Sequence, residues 1–330
     1  MYSFIADARN ITGDNNLENL RDKIILVTGG TGSFGNFITK ELLKYNPREI
    51  RIYSRDEEKQ LDMNRIFSDP KIKFIIGDVR DYERVLEATQ DVHLLYHAAA
   101  LKIVPMCETH PQEALKTNVL GTLNVKKAAI YHNIDKSILI STDKAVKPVN
   151  LYGMTKSIAE KLWINDEFKN TKFSAVRYGN VIGSRGSVIP FFKKLISEGK
   201  PLTITHPDMT RFLITLNQAI ELVFKTTSIM KGGEIFVPDI PACRIVDLAK
   251  AMAGEKYPME FTGIRPGEKI HECLIQEDEF RRVEKIENFY VIHPYSKYKS
   301  GKIMEEYTSL NSRKFDENEL IILLTECGFI

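Results

Sequence analysis

The sequence is poor in cysteine, with four residues among 330, and their placement excludes two common uses of the thiol. They form no Cys-x-x-Cys pair, no histidine cluster accompanies them, and they lie far apart, at Cys107, Cys243, Cys273 and Cys327. We therefore predict no metal site. We expect reduced thiols in a cytoplasmic protein and not a disulfide framework.

The chain also lacks a long hydrophobic run and an excess of charge of one sign. No apolar stretch approaches the length of a membrane span, so we expect no membrane insertion. The 46 basic and 44 acidic residues give a net charge of +2, and no block of lysine and arginine stands out. We therefore expect no nucleic-acid partner, although a few well-placed arginines would suffice for a small anion.

Residues 1–22 lack the basic start and apolar middle of a secretory signal. They are polar and mixed in charge, so we expect an N-terminal arm that is either disordered or packed on a neighbouring subunit. The rest of the chain is long enough for two domains, and its hydrophobic content of 43% supplies a sizeable core. It contains no internal repeat and no low-complexity segment.

From residue 23 onward, short apolar runs alternate with helical stretches five times. This alternation predicts an α/β fold with a Rossmann-type doubly wound parallel sheet, whose ligands bind outside the carboxyl ends of the strands. We assign residues 23–180 to this dinucleotide-binding domain. After a sixth strand the alternation loosens, so residues 181–330 are expected to form mainly a smaller substrate-binding domain, with some segments returning to the first.

A glycine-rich turn follows the first predicted strand, residues 23–28, and leads into a helix at residues 36–45. Glycines there permit a tight turn and let the backbone approach a pyrophosphate at the helix N-terminus. The turn therefore predicts a dinucleotide site. Its candidate cofactor residues are Thr28, Gly29, Gly30, Thr31, Gly32, Ser33, Phe34 and Gly35.

The second predicted strand ends in Ser54-Arg55-Asp56, about where the residue that reads the adenosine ribose should fall. The guanidinium of Arg55 could fork onto a 2′-phosphate, and Lys59 lies one helical turn away, which favours NADP. The alternative is an exposed Arg55 with Asp56 as the ribose ligand, which would favour NAD.

Polar or small residues follow two further strands at the same predicted edge. Asp78 follows the third strand and could hydrogen-bond the adenine edge. The fourth strand gives way to Ala98-Ala99-Ala100, small residues against which a cofactor could lie, and Lys102 follows in the loop above. Asn118 places a polar amide on an otherwise apolar helix face and could act as a structural water clamp.

The fifth strand leads into the candidate catalytic stretch, which ends in a helix carrying Tyr152 and Lys156. These two residues are spaced i, i+4 and share one helical face. A lysine ammonium beside the phenol would favour the phenolate and make Tyr152 a usable base. Ser141 or Thr142 could hydrogen-bond the same substrate oxygen.

Two arginines in the second half stand out because chain-breaking residues flank them. Arg211 and Arg265 are predicted to lie on loops, where guanidinium forks suit a diphosphate. Glu268 could accept hydrogen bonds from ribose hydroxyls. Near the C-terminus, Asp316 to Glu319 has the form of a capping box and predicts the start of a final amphipathic helix.

Taken together, these motifs resemble a known family. Thr28-Gly29-x-x-Gly32-x-x-Gly35 with Tyr152-x-x-x-Lys156 is similar to the extended short-chain dehydrogenase/reductase superfamily. Four further motifs narrow the resemblance to the inverting UDP-N-acetylglucosamine 4,6-dehydratases, which open bacterial pseudaminic acid synthesis. They are Leu101-Lys102-x-Val104-Pro105-x-x-Glu108, Ser141-Thr142-Asp143-Lys144-Ala145, Arg177-Tyr178-Gly179-Asn180-Val181 and Arg265-Pro266-Gly267-Glu268-Lys269. The resemblance runs from about residue 23 to the C-terminus.

The resemblance implies a tightly held NADP, UDP-N-acetylglucosamine as substrate, and a homo-oligomer, either a dimer or a hexamer. The implied catalytic residues are Thr142, Asp143, Lys144, Tyr152 and Lys156. Besides the glycine turn, the implied cofactor contacts are Ser54, Arg55, Asp56, Glu57, Glu58, Lys59, Asp78, Val79, Ala98, Ala99, Ala100, Lys102, Asn118, Ser141, Tyr152, Lys156 and Val181. The implied substrate contacts are Lys102, Thr142, Asn180, Val188, Ile189, Pro190, Phe191, Phe192, Thr205, Arg211, Arg265 and Glu268.

The family chemistry would explain why Asp143 and Lys144 accompany Tyr152. Tyr152 would take the 4-hydroxyl proton while C4 gives up hydride, and the resulting ketone would acidify the C5 proton. Lys144 would then remove that proton with inversion, Asp143 would help the C6 hydroxyl leave as water, and the hydride would return to C6. The product would be UDP-2-acetamido-2,6-dideoxy-β-L-arabino-hex-4-ulose.

As a base, Lys144 would need a pKa below its unperturbed value of about 10.4. A lysine acts as a base only when neutral, so we expect burial or a neighbouring cation to lower the pKa of Lys144.

Two alternatives remain open at this point. A sugar-nucleotide 4-epimerase shares the fold and the Tyr-x-x-x-Lys pair but does not need Asp143 and Lys144 to eliminate water. A non-catalytic NADP sensor or scaffold would tolerate loss of Tyr152 or Lys156, and both residues are present.

Overall fold

The structure is a computed structural model that describes residues 20–165, 170–184, 186–297 and 305–330. The predicted N-terminal arm, residues 1–22, therefore falls mostly outside the described part of the chain.

The short apolar runs of the first half form strands that are covered on both faces, so each can be apolar along its length. β1 illustrates this, because all five of its residues are buried. In chain order the strands and α-helices of this half are β1 (Ile24–Thr28), α1 (Ser33–Leu43), β2 (Glu49–Ser54), α2 (Glu57–Phe67), β3 (Ile72–Ile76), α3 (Tyr82–Ala88), β4 (Leu94–His97), α4 (Val104–Thr109), α5 (Pro111–Leu115), α6 (Gly121–Tyr131), β5 (Lys136–Ile140), α7 (Leu151–Ile164) and β6 (Lys172–Val176).

The second half consists of shorter strands between helices and turns. Its elements are β7 (Asn180–Val181), α8 (Val188–Ser197), β8 (Leu202–Ile204), β9 (Thr210–Ile214), α9 (Leu216–Ile229), β10 (Ile235–Pro238), β11 (Ala242–Arg244), α10 (Ile245–Ala253), β12 (Met259–Phe261), β13 (Cys273–Ile275), β14 (Val283–Ile286), β15 (Phe289–Ile292), β16 (Tyr307–Thr308) and α11 (Glu317–Glu326).

Nine of the described strands form one large sheet in the order β14-β15-β10-β6-β5-β4-β1-β2-β3. Its strands from β3 across to β10 run parallel, whereas β15 and β14 add an antiparallel edge. The chain order reverses beside β1, with β2 and β3 on one side and β4 to β6 on the other. The predicted doubly wound parallel sheet is therefore confirmed, and a ligand crevice is expected at the carboxyl ends next to β1.

A second, smaller hydrophobic core lies outside this sheet. Phe192 of α8, Leu202 of β8, Leu248 of α10 and Leu320 of α11 are all buried in it. The remaining strands form three small sheets, with the strand orders β11-β9-β7, β12-β8 and β13-β16.

Part of the second half returns to the large sheet. Phe224 of α9, Phe236 of β10 and Phe289 of β15 are buried in the main core together with the first-half strands. The rings of Tyr45 and Phe224 meet edge-on, with centroids 5.6 Å apart. Residues 181–330 therefore contribute to both cores.

The final helix begins as the sequence predicts. The carboxylate of Asp316 accepts from the Glu319 amide at 2.8 Å, and the Glu319 side chain accepts from the Asp316 amide at 3.0 Å. This capping box is confirmed. Within the described residues, no helix combines the length and apolar character needed to cross a membrane.

Candidate active site

The predicted motifs meet at one edge of the large sheet. Thr28 at the end of β1 is in register with Tyr53 of β2 and with His97 of β4. The next strands continue this alignment, since His97 pairs with Leu139 and Ile140 pairs with Val176. The segments that follow these strands therefore open onto the same crevice.

The glycine turn after β1 is shaped so that side chains would not fit. Gly29 has φ +66°, and a Cβ there would lie 2.8 Å from the Ala99 backbone. A Cβ on Gly35 would lie 2.1 Å from the Gly30 carbonyl oxygen. Gly32 caps α1 without a side chain to accept from the first amides, so the helix N-terminus is left for an anion. This cradle fits the pyrophosphate of a dinucleotide.

At the end of β2, Arg55 and Asp56, the two residues predicted to contact the adenosine ribose, have different partners. The Asp56 carboxylate caps α2 by accepting from the Lys59 amide at 3.0 Å, and it also contacts the Lys59 ammonium. The Arg55 side chain is 54% exposed and its guanidinium lies 3.6 Å from the Asp78 carboxylate. Asp56 is thus engaged in its own helix, whereas Arg55 is only loosely paired. The exposed side chains of Glu57 and Glu58 lie in the first turn of the same helix.

The loop after β4 is held in place by Asn118. The Asn118 amide accepts from the Leu101 backbone N–H at 2.8 Å and donates to the Leu101 carbonyl at 2.9 Å and to Thr155 Oγ1 at 3.0 Å. This differs from the expectation of a direct cofactor contact, because the side chain is buried and occupied within the protein. It fixes the chain between the half-buried Ala98-Ala99-Ala100 and the exposed Lys102. Val79 is likewise a core residue, so only its backbone borders the crevice.

Helix α7 packs closely against the turn at Asp143–Ala145. A Cβ on Gly153 would lie 2.2 Å from the Lys144 carbonyl oxygen, so only glycine permits this approach. Asn150 caps the helix by accepting from the Gly153 amide at 2.8 Å. The packing puts the half-buried Tyr152 beside the Asp143–Lys144 pair.

The electrostatics of Tyr152 and Lys156 differ from the sequence prediction. Burial raises the pKa of Tyr152 to about 12, opposed by the charge of Lys144 and by a hydrogen bond with Thr142. The Lys156 ammonium instead donates to the Ile140 carbonyl at 2.7 Å, and burial lowers the pKa of Lys156 to about 8. The cation that favours the Tyr152 phenolate in this structure is therefore Lys144.

The two hydroxyls predicted to meet the substrate point to different partners. Ser141 Oγ donates to the buried Glu160 carboxylate at 2.7 Å, away from the crevice. Thr142 Oγ1 donates to Asp143 Oδ1 at 3.0 Å and accepts from the Lys144 amide at 3.3 Å. Of the two, Thr142 is the residue that borders the acid/base pair.

Asp143 and Lys144 form an ion pair in which one carboxylate oxygen of Asp143 has no hydrogen-bond partner among the described residues. Asp143 is fully buried, and its Oδ1 lies 3.1 Å from the Lys144 ammonium. Its Oδ2 has no hydrogen-bond partner among the described residues. Burial raises the pKa of Asp143 despite the neighbouring Lys144, so this carboxyl can hold a proton.

The pKa of Lys144 moves opposite to the sequence expectation. Burial alone would lower it, but the carboxylates of Asp143 and Glu272 outweigh burial and raise it. The Lys144 ammonium lies 3.4 Å from Glu272 Oε1 as well as beside Asp143. As the structure stands, Lys144 is an ammonium held between two buried carboxyl groups.

Glu272 is the site residue that the sequence reading missed. Its carboxylate is buried and lies 3.8 Å from Arg211 Nε and 3.7 Å from the Lys269 ammonium. The available signal was its position directly before the apolar run Cys273–Ile275, since a carboxylate that is buried with such a run needs a partner. Nothing local indicated that the partner would be Lys144.

The two arginines predicted on loops have different settings. Arg211 lies in β9 and is buried, and its guanidinium donates to three carbonyls, those of Thr210, Lys269 and Ile270. The loop prediction for Arg211 is therefore wrong. Arg265 does lie outside the helices and strands, is 69% exposed and pairs with Glu268 at 2.6 Å.

The other predicted substrate residues divide into core and crevice residues. Ile189 and Phe192 face the smaller core, so their side chains do not reach a substrate from there. Asn180 Oδ1 is buried without a hydrogen-bond partner among the described residues, as expected of a group awaiting a ligand. The rest lie next to β8 or at the start of α8: Val188, Pro190, Phe191 and Thr205. Val181, a predicted cofactor contact, lies in β7.

A dinucleotide cradle and a partly buried Tyr–Asp–Lys constellation share this edge of the sheet, and together with the relatives they identify an NAD(P)-dependent enzyme that modifies nucleotide sugars. Residues 25–294 match the family described as "Polysaccharide biosynthesis protein". The chain belongs to this family, which lies within the extended short-chain dehydrogenase/reductase superfamily.

Individual relatives point to two activities. The chain is 50% identical over 282 residues to the UDP-N-acetylglucosamine 4,6-dehydratase (inverting) of Campylobacter jejuni, covering 84% of each chain. It is 44% identical over 331 residues to the UDP-glucose 4-epimerase of Rickettsia bellii, covering 94% of this chain and 97% of that one. Among solved structures, Pen from Bacillus thuringiensis matches with a TM-score of 0.86 at 37% identity, covering 93% and 99% of the two chains.

Proposed function

We propose that this protein is a UDP-N-acetylglucosamine 4,6-dehydratase that inverts C5. The observation that carries the proposal is the buried Asp143–Lys144 pair beside Tyr152, with a carboxyl oxygen left unpaired among the described residues. An alcohol oxidation needs Tyr152 alone, whereas loss of water also needs an acid and a base. The likeness to the Campylobacter dehydratase supports the same choice.

The first step belongs to Tyr152, whose phenolate oxygen takes the proton of the 4-hydroxyl. Lys144 favours that phenolate in this structure, and the Thr142 hydroxyl can donate to it by turning its proton away from Asp143. When bound in the glycine cradle after β1, a nicotinamide cofactor would supply the hydride chemistry, namely removal of hydride from C4 and its return to C6. The elimination between these two transfers is the work of Asp143 and Lys144.

The acid/base pair can complete an elimination without exchanging protons with solvent. Before the step, the proton of Lys144 crosses the 3.1 Å contact to Asp143, leaving a neutral amine and a neutral acid. The C5–H bond then breaks and its proton goes to the amine, the C6–O bond breaks, and the Asp143 proton leaves with the oxygen as water. The elimination leaves the pair as ammonium and carboxylate. When hydride is returned to C6, C5 takes a proton from water on the opposite face, which inverts C5, and the proton that Tyr152 removed from the 4-hydroxyl neutralises the hydroxide left behind. The high pKa of Lys144 is thus compatible with its role as base, because its proton has a buried acceptor.

We further propose NADP as the cofactor. The support is that Asp56 is occupied as a helix cap while Arg55 is exposed and loosely paired, so a 2′-phosphate would meet a guanidinium. On the substrate side, Arg265, Glu268 and Asn180 are the groups best placed for a UDP-sugar.

The assembly and its location complete the proposal. Exposed apolar side chains on α6 and α7 support a homo-oligomer built through helix packing; they include Tyr131, Met154 and Ile158. Four free cysteines agree with a cytoplasmic location.

The proposal is tested by incubating the purified protein with UDP-N-acetylglucosamine without added reductant and analysing the nucleotide sugar by mass spectrometry. We expect loss of one water from the sugar. Recovery of an isomer of unchanged mass would contradict the dehydratase and support an epimerase. An unchanged substrate would leave only a non-catalytic NADP-binding sensor or scaffold.

The epimerase is the second candidate because a relative of that name aligns over 94% of this chain. It would use the same cradle and Tyr152. It gives no function to the Asp143–Lys144 pair or to the unpaired Asp143 oxygen, and for that reason we prefer the dehydratase.

A further inference from the structure

Glu272 is a buried carboxylate to which the proposed chemistry has so far given no role. Its Oε1 lies 3.4 Å from the Lys144 ammonium, and its Oε2 has no hydrogen-bond partner among the described residues. Both backbone groups of Glu272 are bonded, because its amide donates to Ser309 Oγ at 2.9 Å and its carbonyl accepts from the Ser309 amide at 2.8 Å. Glu272 is therefore placed rigidly against the amine.

We propose that Glu272 is a positioning residue for the acid/base pair: it holds the Lys144 amine beside Asp143 and keeps the transferable proton between those two groups. The inference rests on the proposed dehydratase function. It assigns Glu272 no contact with the reacting atoms, since its effect passes through Lys144.

The charges around Glu272 explain why it does not take the proton itself. Lys144, Arg211 and Lys269 all lie within 4 Å of its carboxylate. Burial would raise the pKa of Glu272, but these three cations more than offset burial and lower it. An ionised Glu272 leaves Asp143 as the acceptor of the Lys144 proton.

Glu272 also acts on Asp143. Burial contributes most to the raised pKa of Asp143, and the negative charge of Glu272 raises it further. The negative charge of Glu272 thus raises the pKa of both Asp143 and Lys144. The shared proton therefore stays on one of these two groups and is not lost to solvent. The titratable groups that face this site are Asp143, Lys144, Tyr152, Arg211 and Lys269.

The test compares Glu272→Gln and Glu272→Asp with the parent protein. Glu277→Gln serves as the matched control, because Glu277 is an exposed carboxylate on the same segment. Three rates are measured with UDP-N-acetylglucosamine: transient reduction of the bound nicotinamide by ultraviolet absorbance, exchange of C5 hydrogen with deuterium oxide, and release of water by mass spectrometry. The last two are followed as a function of pH.

We expect Glu272→Gln to reduce the nicotinamide at close to the parent rate, because Tyr152 is intact. Loss of the amine position should slow C5 exchange and water release about 10²-fold. Removing the negative charge lowers the pKa of both Asp143 and Lys144. In a plot of the elimination rate against pH, both the rising and the falling limb should therefore move to lower pH, by about one to three units. Glu272→Asp keeps the charge and should keep the parent profile at a reduced rate. Glu277→Gln should match the parent.

Parent exchange rates and an unmoved profile in Glu272→Gln would overturn the inference. Equal defects in the Gln and Asp variants without a change of profile would show a purely structural role and overturn it too. If Glu272→Gln fails to fold, Glu272→Asp decides: exchange at the parent rate contradicts the inference, and slower exchange with the parent profile supports it. If the parent yields no dehydrated sugar, the proposed function fails, and that result is distinct from every variant result.

Discussion

Two buried charge clusters lie on either side of Ser141 and Thr142, and they are built differently. The arginine clamp consists of Ser141, Glu160, Arg177 and Glu279. The catalytic cluster consists of Asp143, Lys144, Arg211, Lys269 and Glu272. The first is saturated with short hydrogen bonds, whereas the second has longer contacts and unpaired oxygens.

In the arginine clamp, the guanidinium of Arg177 donates to both oxygens of Glu160 and both oxygens of Glu279. Ser141 adds a donor to Glu160, and the Gln276 amide adds one to Glu279. Such bidentate, fully paired groups have fixed positions. The clamp ties the end of β6 and helix α7 to the segment after β13, so it fixes the distance between the two halves of the site.

In the catalytic cluster, the shortest distance between oppositely charged atoms of the described residues is 3.1 Å. Asp143 Oδ2 and Glu272 Oε2 have no hydrogen-bond partner among those residues. Unpaired oxygens in a buried site cost stability. The comparison indicates that the clamp holds the architecture, whereas the catalytic cluster keeps proton acceptors available for a substrate.

The largest expected effect comes from breaking the clamp. Arg177→Met leaves Glu160 and Glu279 buried without their cation, and removal of one partner of a buried ion pair costs about 3–5 kcal/mol. The free energy of unfolding, measured with urea, should fall by that amount. Lys144→Met should cost less, because Asp143 can take a proton and Glu272 keeps Arg211 and Lys269.

The matched control for this comparison is Arg65→Met, which removes an exposed arginine whose side chain is 69% exposed and pairs only on the surface. Its effect should stay within about 0.5 kcal/mol. A larger loss of stability in Lys144→Met than in Arg177→Met would contradict the division of roles between the clusters.

The second prediction extends the contrast between tight and loose pairs to the cofactor edge. Arg55 is held only by a 3.6 Å contact with Asp78, whereas Arg80 lies 2.6 Å from the same carboxylate. Arg55→Ala should weaken NADP binding about tenfold to a hundredfold, because a charge-assisted contact to the 2′-phosphate is lost. Calorimetric titration should show little change for NAD. Predominant NAD in cofactor extracted from the parent protein would contradict the NADP assignment.

The smallest effect is expected at the exposed pair of Arg265 and Glu268. Arg265→Ala should raise KM for the nucleotide sugar about tenfold with kcat nearly unchanged, because a diphosphate contact is present in ground and transition states alike. Arg211→Ala should instead lower both kcat and stability, since Arg211 supports three carbonyls and Glu272. Steady-state kinetics and urea unfolding separate the two outcomes. A kcat defect without a KM change in Arg265→Ala would contradict the binding role.

The sequence predicts the parallel half of the fold well because its signals are local. Apolar runs bounded by glycine or polar residues mark β1 to β6, and the residues that follow them carry the site. The capping box at Asp316 is equally local. The antiparallel edge formed by β14 and β15 is not predictable in this way, since short strands carry little periodicity.

The missed features of the site all depend on contacts between distant segments. Arg211 reads as a loop residue because chain-breaking residues flank it, yet its strand is set by pairing with β7 and β11. Asn118 and Ser141 are polar residues whose partners lie elsewhere in the chain, at Leu101 and Glu160. The proximity of Glu272 to Lys144 likewise arises only when the two halves of the molecule meet.

The central claim is that Lys144 is the base of the elimination, whereas in the oxidation it only favours the Tyr152 phenolate. The direct measurement uses Lys144→Ala with NADP and UDP-N-acetylglucosamine in deuterium oxide, following nicotinamide reduction and C5 exchange in the same sample. We expect transient reduction to persist at a reduced rate, because Tyr152 and the cradle remain but Tyr152 loses its neighbouring cation. C5 exchange and water release should fall further, by about 10²–10⁴-fold. C5 exchange at the parent rate would contradict the claim, and the base would then have to be Tyr152 or a bound water.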